Sequence, residues 1–170
     1  MDSGASGTVI ALWPARLPDD LPLVRQLFLA YAEGLGFDLC FQNFEDELAT
    51  LPGKYAPPLG RLILAWNGDF AIGCVALRPV DASTGEMKRL YVRPGQRGQH
   101  LGRRLAERIC QEAREAGYQR ICLGTLPTMT AALQLYEALG FIPVAPYVFN
   151  PLEGAIFLGL DLTTPPSPAQ

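Results

Sequence analysis

The run "TVIALWPA" (8–15) reads as a first strand, and the period then changes. In "LPDDLPLVRQLFLAYAEGLG" the apolar residues Leu23, Leu27, Tyr31 and Leu35 fall four apart, which predicts a helix ended by Gly34 and Gly36. "NFEDELATL" predicts a short second helix with Asn43 as its N-cap, and "PGKYAPPLG" a loop. In "RLILAWNGDFAIGCVALRPV" two β-rich runs flank Asn67-Gly68, a dipeptide that tolerates positive φ, so the pattern is a hairpin. "GEMKRLYVRP" follows as a strand ended by Pro94, and alternation along it puts Glu86, Lys88, Leu90 and Val92 on one face. The helical period returns with Leu101, Leu105, Ile109 and Ala113 as one apolar stripe, while Glu107, Arg108, Glu112 and Arg114 fall mostly outside it, and Gly117 closes the helix. "YQRICLGTL" is a strand, "TMTAALQLYEALG" a helix closed by Gly140, and "FIPVAPYVF" and "GAIFLGLDL" are the last two strands.

This order predicts an α/β (α+β) fold: a mixed, mostly antiparallel sheet of about seven strands flanked by about four helices. The strand-helix-strand unit from Glu86 to Thr125 implies one parallel pair with a right-handed crossover. No repeat or linker interrupts the chain, and 170 residues with 49% hydrophobic content suit a single domain over 1–170, with 1–7 and 163–170 as flexible tails. A charged fraction of 18% and a net charge of −3 argue against nucleic acid as a partner. No stretch approaches the roughly 18 apolar residues of a membrane span. Cys40, Cys74, Cys110 and Cys122 are widely spaced and His100 is the sole histidine, so no metal centre is expected; the thiols read as free, in a cytoplasmic setting.

"RGQHLGRRL" (97–105) places two poor helix formers, Gly98 and Gly102, and three arginines at the opening of the amphipathic helix. A helix N-terminus offers free N–H groups and partial positive charge, and glycines let backbone approach a ligand closely, so the stretch reads as a cradle for phosphates. A P-loop is excluded because Arg103, not Lys, follows Gly102. A helix-turn-helix reading conflicts with the acidic total charge and the glycine-opened helix.

Together, "EMKRLYVRPGQRGQHLGRRL" and "ALQLYEALGF" resemble the GNAT N-acetyltransferase superfamily. Its first signature, Arg or Gln, two residues, Gly, one residue, Gly or Ala, falls on Arg97, His100 and Gly102, so His100 stands where glycine is usual. Its second falls on Leu135, Tyr136, Gly140 and Phe141, with Met129 replacing the Asn usual seven residues before the tyrosine. The resemblance implies that the two parallel central strands splay apart and that acetyl-CoA, the cosubstrate, lies in the opening. Its pyrophosphate would meet Arg97, Gly98, Gln99, His100, Leu101 and Gly102, with Arg97, Arg103 or Arg104 as counter-charges. Backbone of Leu90, Tyr91 and Val92 would align the pantetheine arm, and Thr128 or Thr130 would substitute for the missing Asn.

Tyr136 stands where the family's general acid often lies; the alternative is an aromatic packing residue. Glu86 precedes Arg97 by eleven residues, the spacing of the base glutamate in the family's histone acetyltransferases; alternatively it forms a structural ion pair with Lys88. His100 either touches a phosphate or is solvated at the helix start.

The resemblance implies direct attack by a primary amine in a ternary complex, the acceptor being a small amine, an amino acid or a peptide N-terminus, and it makes a homodimer plausible. Tyr55, Arg78, Tyr147 and Asn150 are candidates for the acceptor site. Arg78 would hold a substrate carboxylate or be solvated at its strand end, and Glu45, Asp46 and Glu47 would favour a cationic amine or form a charged helix face. The rival reading is a CoA-binding sensor or accessory module without transferase activity. His100 and Met129 favour it, and Tyr136 and Glu86 oppose it.

Overall fold

The computed structural model describes residues 9–35, 43–148, 150 and 154–163. The expected leader 1–7, most of the expected tail 163–170, Gly36, Cys40 and parts of the acceptor segments around 37–42 and 149–153 lie outside the described residues.

Seven strands form one sheet: β1 (Ile10–Pro14), β2 (Arg61–Asn67), β3 (Phe70–Pro79), β4 (Thr84–Val92), β5 (Arg120–Thr125), β6 (Ile142–Pro143) and β7 (Ile156–Asp161), in the order β1-β2-β3-β4-β5-β7-β6. β4 and β5 run parallel and the other neighbours antiparallel. The helices are α1 (Leu21–Leu35), α2 (Phe44–Ala49), α3 (Leu101–Ala116), which makes the crossover from β4 to β5, and α4 (Thr130–Ala138). The expected class and element order hold. The β2-β3 hairpin turns at Gly68, whose φ of 61° needs glycine's freedom. "FIPVAPYVF" supplies strand only at Ile142–Pro143, because Pro143 and Pro146 have no N–H to give a ladder.

The sheet separates two cores. Under α3 and α4 lie Ile63, Ile72, Val75, Leu77, Met87 and the α3 stripe Leu101, Leu105, Ile109 and Ala113. Glu112 was expected outside that stripe yet is buried. Arg61 Nε at 3.0 Å and Arg108 Nε at 2.8 Å donate to its two oxygens and offset its desolvation. On the opposite face, α1 buries Val24, Leu27 and Phe28 against Leu62, Leu64 and Cys74. Leu23, Tyr31 and Leu35 are only half-buried, since a row of residues four apart drifts around a helix of 3.6 residues per turn. Asn43 holds the N-cap position of α2, but in a left-handed conformation (φ 56°) with no side-chain cap bond, so the expected cap is right in place only.

β4 departs from the simple pattern. Its pairing with β3 shifts register between Cys74 and Ala76, where Arg89 adopts φ 61°. The extra residue is a bulge, and it inverts the alternation beyond it. Glu86, Lys88 and Tyr91 sit opposite Arg78, Ala76 and Cys74, toward α1 and α2, whereas Met87, Leu90 and Val92 join the α3 core. The expected common face of Glu86, Lys88, Leu90 and Val92 therefore breaks in two.

Arg89 is 2% exposed. Its Nε and Nη2 donate to the two carboxylate oxygens of Glu47 at 2.9 and 2.8 Å, and its guanidinium lies over the rings of Phe44 at 5.1 Å and Tyr31 at 5.5 Å. Within the expected acidic helix face, then, Glu45 and Asp46 are exposed while Glu47 turns inward to clamp the bulge. β4 and β5 pair only over Thr84–Glu86 against Arg120–Cys122 and then part, as the splayed pair requires. No helix among the described residues is long and apolar enough to cross a membrane.

Candidate active site

Two cavities meet where β4 and β5 part. One, of about 510 Å³, runs along the second half of β4 to the start of α3 and is lined by Tyr91, Val92, Arg97, Gly98, His100, Leu101 and Gly102. The other, of about 350 Å³, is lined by Arg78, Glu86, Lys88, Thr125, Tyr136, Asn150 and Phe157, among others. Tyr31, Leu90 and Met129 belong to both walls, so the two hollows form one cleft.

The first cavity is built by the turn ahead of α3. Gly98, Gln99 and His100 take φ of 116°, 54° and 55°, which swings the chain over the end of β4 and leaves first-turn N–H groups of α3 without helical carbonyl partners. A Cβ added at Gly102 would meet only Leu135 Cδ2, at 4.0 Å, so that helix face is open. Arg97 Nε donates to the Val92 carbonyl at 3.1 Å, which ties the guanidinium to the end of β4. The other two arginines are diverted: Arg103 pairs with Glu107 at 3.1 Å, and Arg104 donates to the Ile10 carbonyl of β1 at 3.0 Å. Of the residues expected at the cradle, Gln99 lines a small hollow of about 120 Å³ next door. Arg103 and Thr128 line neither cavity, and Thr128 is exposed. Met129 fills the shared wall, its Sδ accepting from Thr125 Oγ1 at 3.5 Å.

His100 is exposed and holds a left-handed backbone conformation that costs a non-glycine residue about 1–2 kcal/mol. Glycine would relieve that strain while adding unfolded-state entropy. His100→Gly is therefore expected to stabilise the protein by about 0.5–1 kcal/mol in urea unfolding without weakening acetyl-CoA binding. A loss of affinity would show that the imidazole contributes to binding.

The second cavity holds the titratable groups. Tyr136 projects from α4, is 7% exposed, and packs on Phe141 with ring centroids 5.7 Å apart. Burial, reinforced by Tyr31 and Cys110, pushes its phenol above the usual tyrosine value, so it stays protonated and able to donate. Both oxygens of Glu86 are engaged: Arg78 Nε donates to Oε1 at 2.9 Å and Tyr147 Oη to Oε2 at 2.8 Å. Arg78, directly across the β3-β4 ladder, is thus the ion-pair partner in place of the expected Lys88, half-buried with its Nε committed to Glu86. Burial and then the charge of Glu86 raise the Tyr147 phenol, keeping it a donor.

Burial pushes the Lys88 amine down to about 8 despite the upward pull of Glu86. Tyr55 lines an adjoining hollow of about 260 Å³ that shares Asn43 and Arg78 with the main cavity. Tyr31, Thr125 and Phe157 were not foreseen as lining residues. For Tyr31 the signal was present, since a phenol within an apolar helical row needs somewhere to put its hydroxyl.

The sequence matches the Acetyltransferase (GNAT) family over residues 22–141. The chain belongs to this family. This GNAT chain is 39% identical over 156 residues to an uncharacterized N-acetyltransferase of Schizosaccharomyces pombe, an alignment covering 91% of this chain and 96% of that protein. In fold it resembles a GNAT acetyltransferase of Staphylococcus aureus, with a TM-score of 0.75 and 20% identity over 91% of this chain and all of the other. It also resembles an acetyltransferase of Salmonella typhimurium solved with its cofactor acetyl-CoA, with a TM-score of 0.69 and 20% identity over 95% and 98% of the two chains.

Membership makes this GNAT protein an acetyl-CoA-dependent N-acetyltransferase. Its own residues fit that cosubstrate. N–H groups at the start of α3 and the Arg97 guanidinium suit a pyrophosphate, and the apolar wall of Leu90, Val92 and Leu101 suits a pantetheine arm.

Proposed function

We propose that this enzyme, a single domain, acetylates a primary amine by direct attack within a ternary complex. The observation that carries the reading is the parting of β4 and β5 beyond Glu86 and Cys122, beside the glycine-opened α3, which makes one cleft from Arg97 to Tyr136. Arg97, Gly98, His100, Leu101 and Gly102 hold the pyrophosphate, with backbone N–H groups of Gln99 and Arg103 beside them and Thr128 next to Met129 of the shared wall. Backbone groups of Leu90, Tyr91 and Val92 align the pantetheine arm and polarise the thioester carbonyl, because this half of β4 has no ladder with β5. Glu86, fixed by Arg78 and Tyr147, accepts the ammonium proton through water. As the amine forms its bond to the carbonyl carbon and the C–S bond breaks, Tyr136 gives its proton to the departing sulfur and is reprotonated, through water, by the proton that the new amide nitrogen sheds.

Binding of acetyl-CoA is tested by thermal unfolding with acetyl-CoA, CoA, ATP and no ligand. Acetyl-CoA and CoA are expected to raise Tm while ATP does not. Gly102→Trp fills the open helix face and is expected to abolish the shift; a normal shift in that variant removes the cradle from this turn. No shift with either ligand at about millimolar concentration overturns the cradle itself.

The same reading puts the enzyme in the cytoplasm, where buried Cys74, Cys110 and Cys122 stay reduced, and allows a homodimer that light scattering would reveal. Met129 in the shared wall gives the sensor alternative its footing, and slow thiol release with every amine would favour it.

A further inference from the structure

One buried polar atom is left over by the fold. Tyr55 is 3% exposed, and its hydroxyl has no hydrogen-bond partner among the described residues. The ring serves packing, since it meets Phe28 of α1 edge-on with centroids 5.8 Å apart. The oxygen does not, and a phenylalanine would fill the same space without the cost of an unmet polar group. Burial, reinforced by Glu47 against the pull of Arg89, raises the phenol, so it stays neutral and able to donate. Glu47 is near enough to act on it but outside hydrogen-bond geometry, and both of its oxygens accept from Arg89.

Tyr55 lines the hollow of about 260 Å³ beside the acceptor half of the cleft. Asn43 and Arg78 belong to the walls of both, so the two spaces adjoin there, and a molecule with its amine near Glu86 can extend toward Tyr55. The charged side chains of the side hollow have their own company: Arg78 pairs with Glu86 and Glu47 with Arg89, while Asp46 and Lys54 are exposed to water. A group that meets the buried phenol without bringing a charge to desolvate is itself neutral. Resting on the acetyl-transfer reading, we propose that the acceptor is a small primary amine bearing a second, neutral oxygen, as in a hydroxyl or a carboxamide, and that the Tyr55 hydroxyl binds that oxygen in the side hollow. Tyr55 then sets specificity at the end of the acceptor remote from the reacting nitrogen.

The test follows thiol release from acetyl-CoA with ω-amino alcohols and ω-amino carboxamides of about two to six carbons and with alkylamines of matching length. It compares the native enzyme with Tyr55→Phe, alongside Tm with and without acetyl-CoA. At the best length, kcat/KM for the oxygen-bearing amine is expected to exceed that for the alkylamine by at least about tenfold, mostly through KM. Tyr55→Phe is expected to bring this ratio toward one. With no amine present, the Tm of Tyr55→Phe should hold or rise by up to about 3 °C, because the variant loses an unmet polar atom and keeps the ring. A fall in Tm would show that the hydroxyl serves the fold, and would overturn the proposal. An undiminished preference in Tyr55→Phe would overturn the assignment to Tyr55. Alkylamines that serve as well at every length would overturn the proposal and leave the transferase reading standing. No thiol release from any amine, with the acetyl-CoA shift in Tm intact, would overturn both.

Discussion

Tyr136→Phe is expected to lower kcat by about 10²-fold while leaving acetyl-CoA affinity within about twofold. The substitution removes one hydroxyl and keeps the ring that packs on Phe141, so the fold has no reason to change. The departing thiolate then has no positioned acid and must find its proton in water, which a buried site admits poorly. Because burial raises the phenol, the native enzyme should show no loss of kcat from this group below pH of about 10. Steady-state kcat for thiol release, with the Tm shift on acetyl-CoA as the affinity control, checks both statements. Unchanged turnover would reassign Tyr136 to packing alone.

Glu47→Ala is expected to destabilise the protein by about 3–5 kcal/mol, because it removes the carboxylate that takes two bonds from the buried Arg89 guanidinium. For a chain of this length that is a drop in Tm on the order of 10 °C. The damage should reach function, since Arg89, at φ 61°, sits at the bulge that turns the second half of β4 toward the cleft, and Glu47 from α2 takes two bonds from it. The Tm shift with acetyl-CoA is therefore expected to shrink more in Glu47→Ala than in an exposed control such as Glu45→Ala. A loss below about 1 kcal/mol would mean that solvent or the Phe44 and Tyr31 rings suffice to hold the cation.

What the sequence discloses is what is local. The α3 stripe, the Asn67-Gly68 turn and the Gly98 to Gly102 opening each carry their signal within one element or turn, and each is found in place. The diversion of Arg103 to Glu107 is also local, an i,i+4 pair on an exposed helix face, and was legible on that ground. The bulge in β4 is different. "EMKRLYV" reads equally well as a straight strand, and the residue at positive φ is an arginine rather than the glycine or asparagine that would advertise it.

The carboxylate that clamps it lies 42 residues away in Glu47, and no periodicity links the two. The partner of Glu86 was hidden in the same way, because Arg78 reaches it only through the β3-β4 register. The likeness to known proteins carries the family and the fold, while the side-chain assignments rest on geometry that emerges only when distant segments meet.

The inversion at Arg89 makes β4 two short strands laid end to end, each with its own inside and outside. Substitutions at Glu86 and Lys88 are felt chiefly among Arg78, Tyr147 and the groups near α2, while those at Val92 are felt in the packing beneath α3. A seam of this kind lets the strand be rewritten in halves. Residues 84–88 form one cassette, answering to β3 and the groups near α2, and the stretch beyond Arg89 forms another with its own set of neighbours.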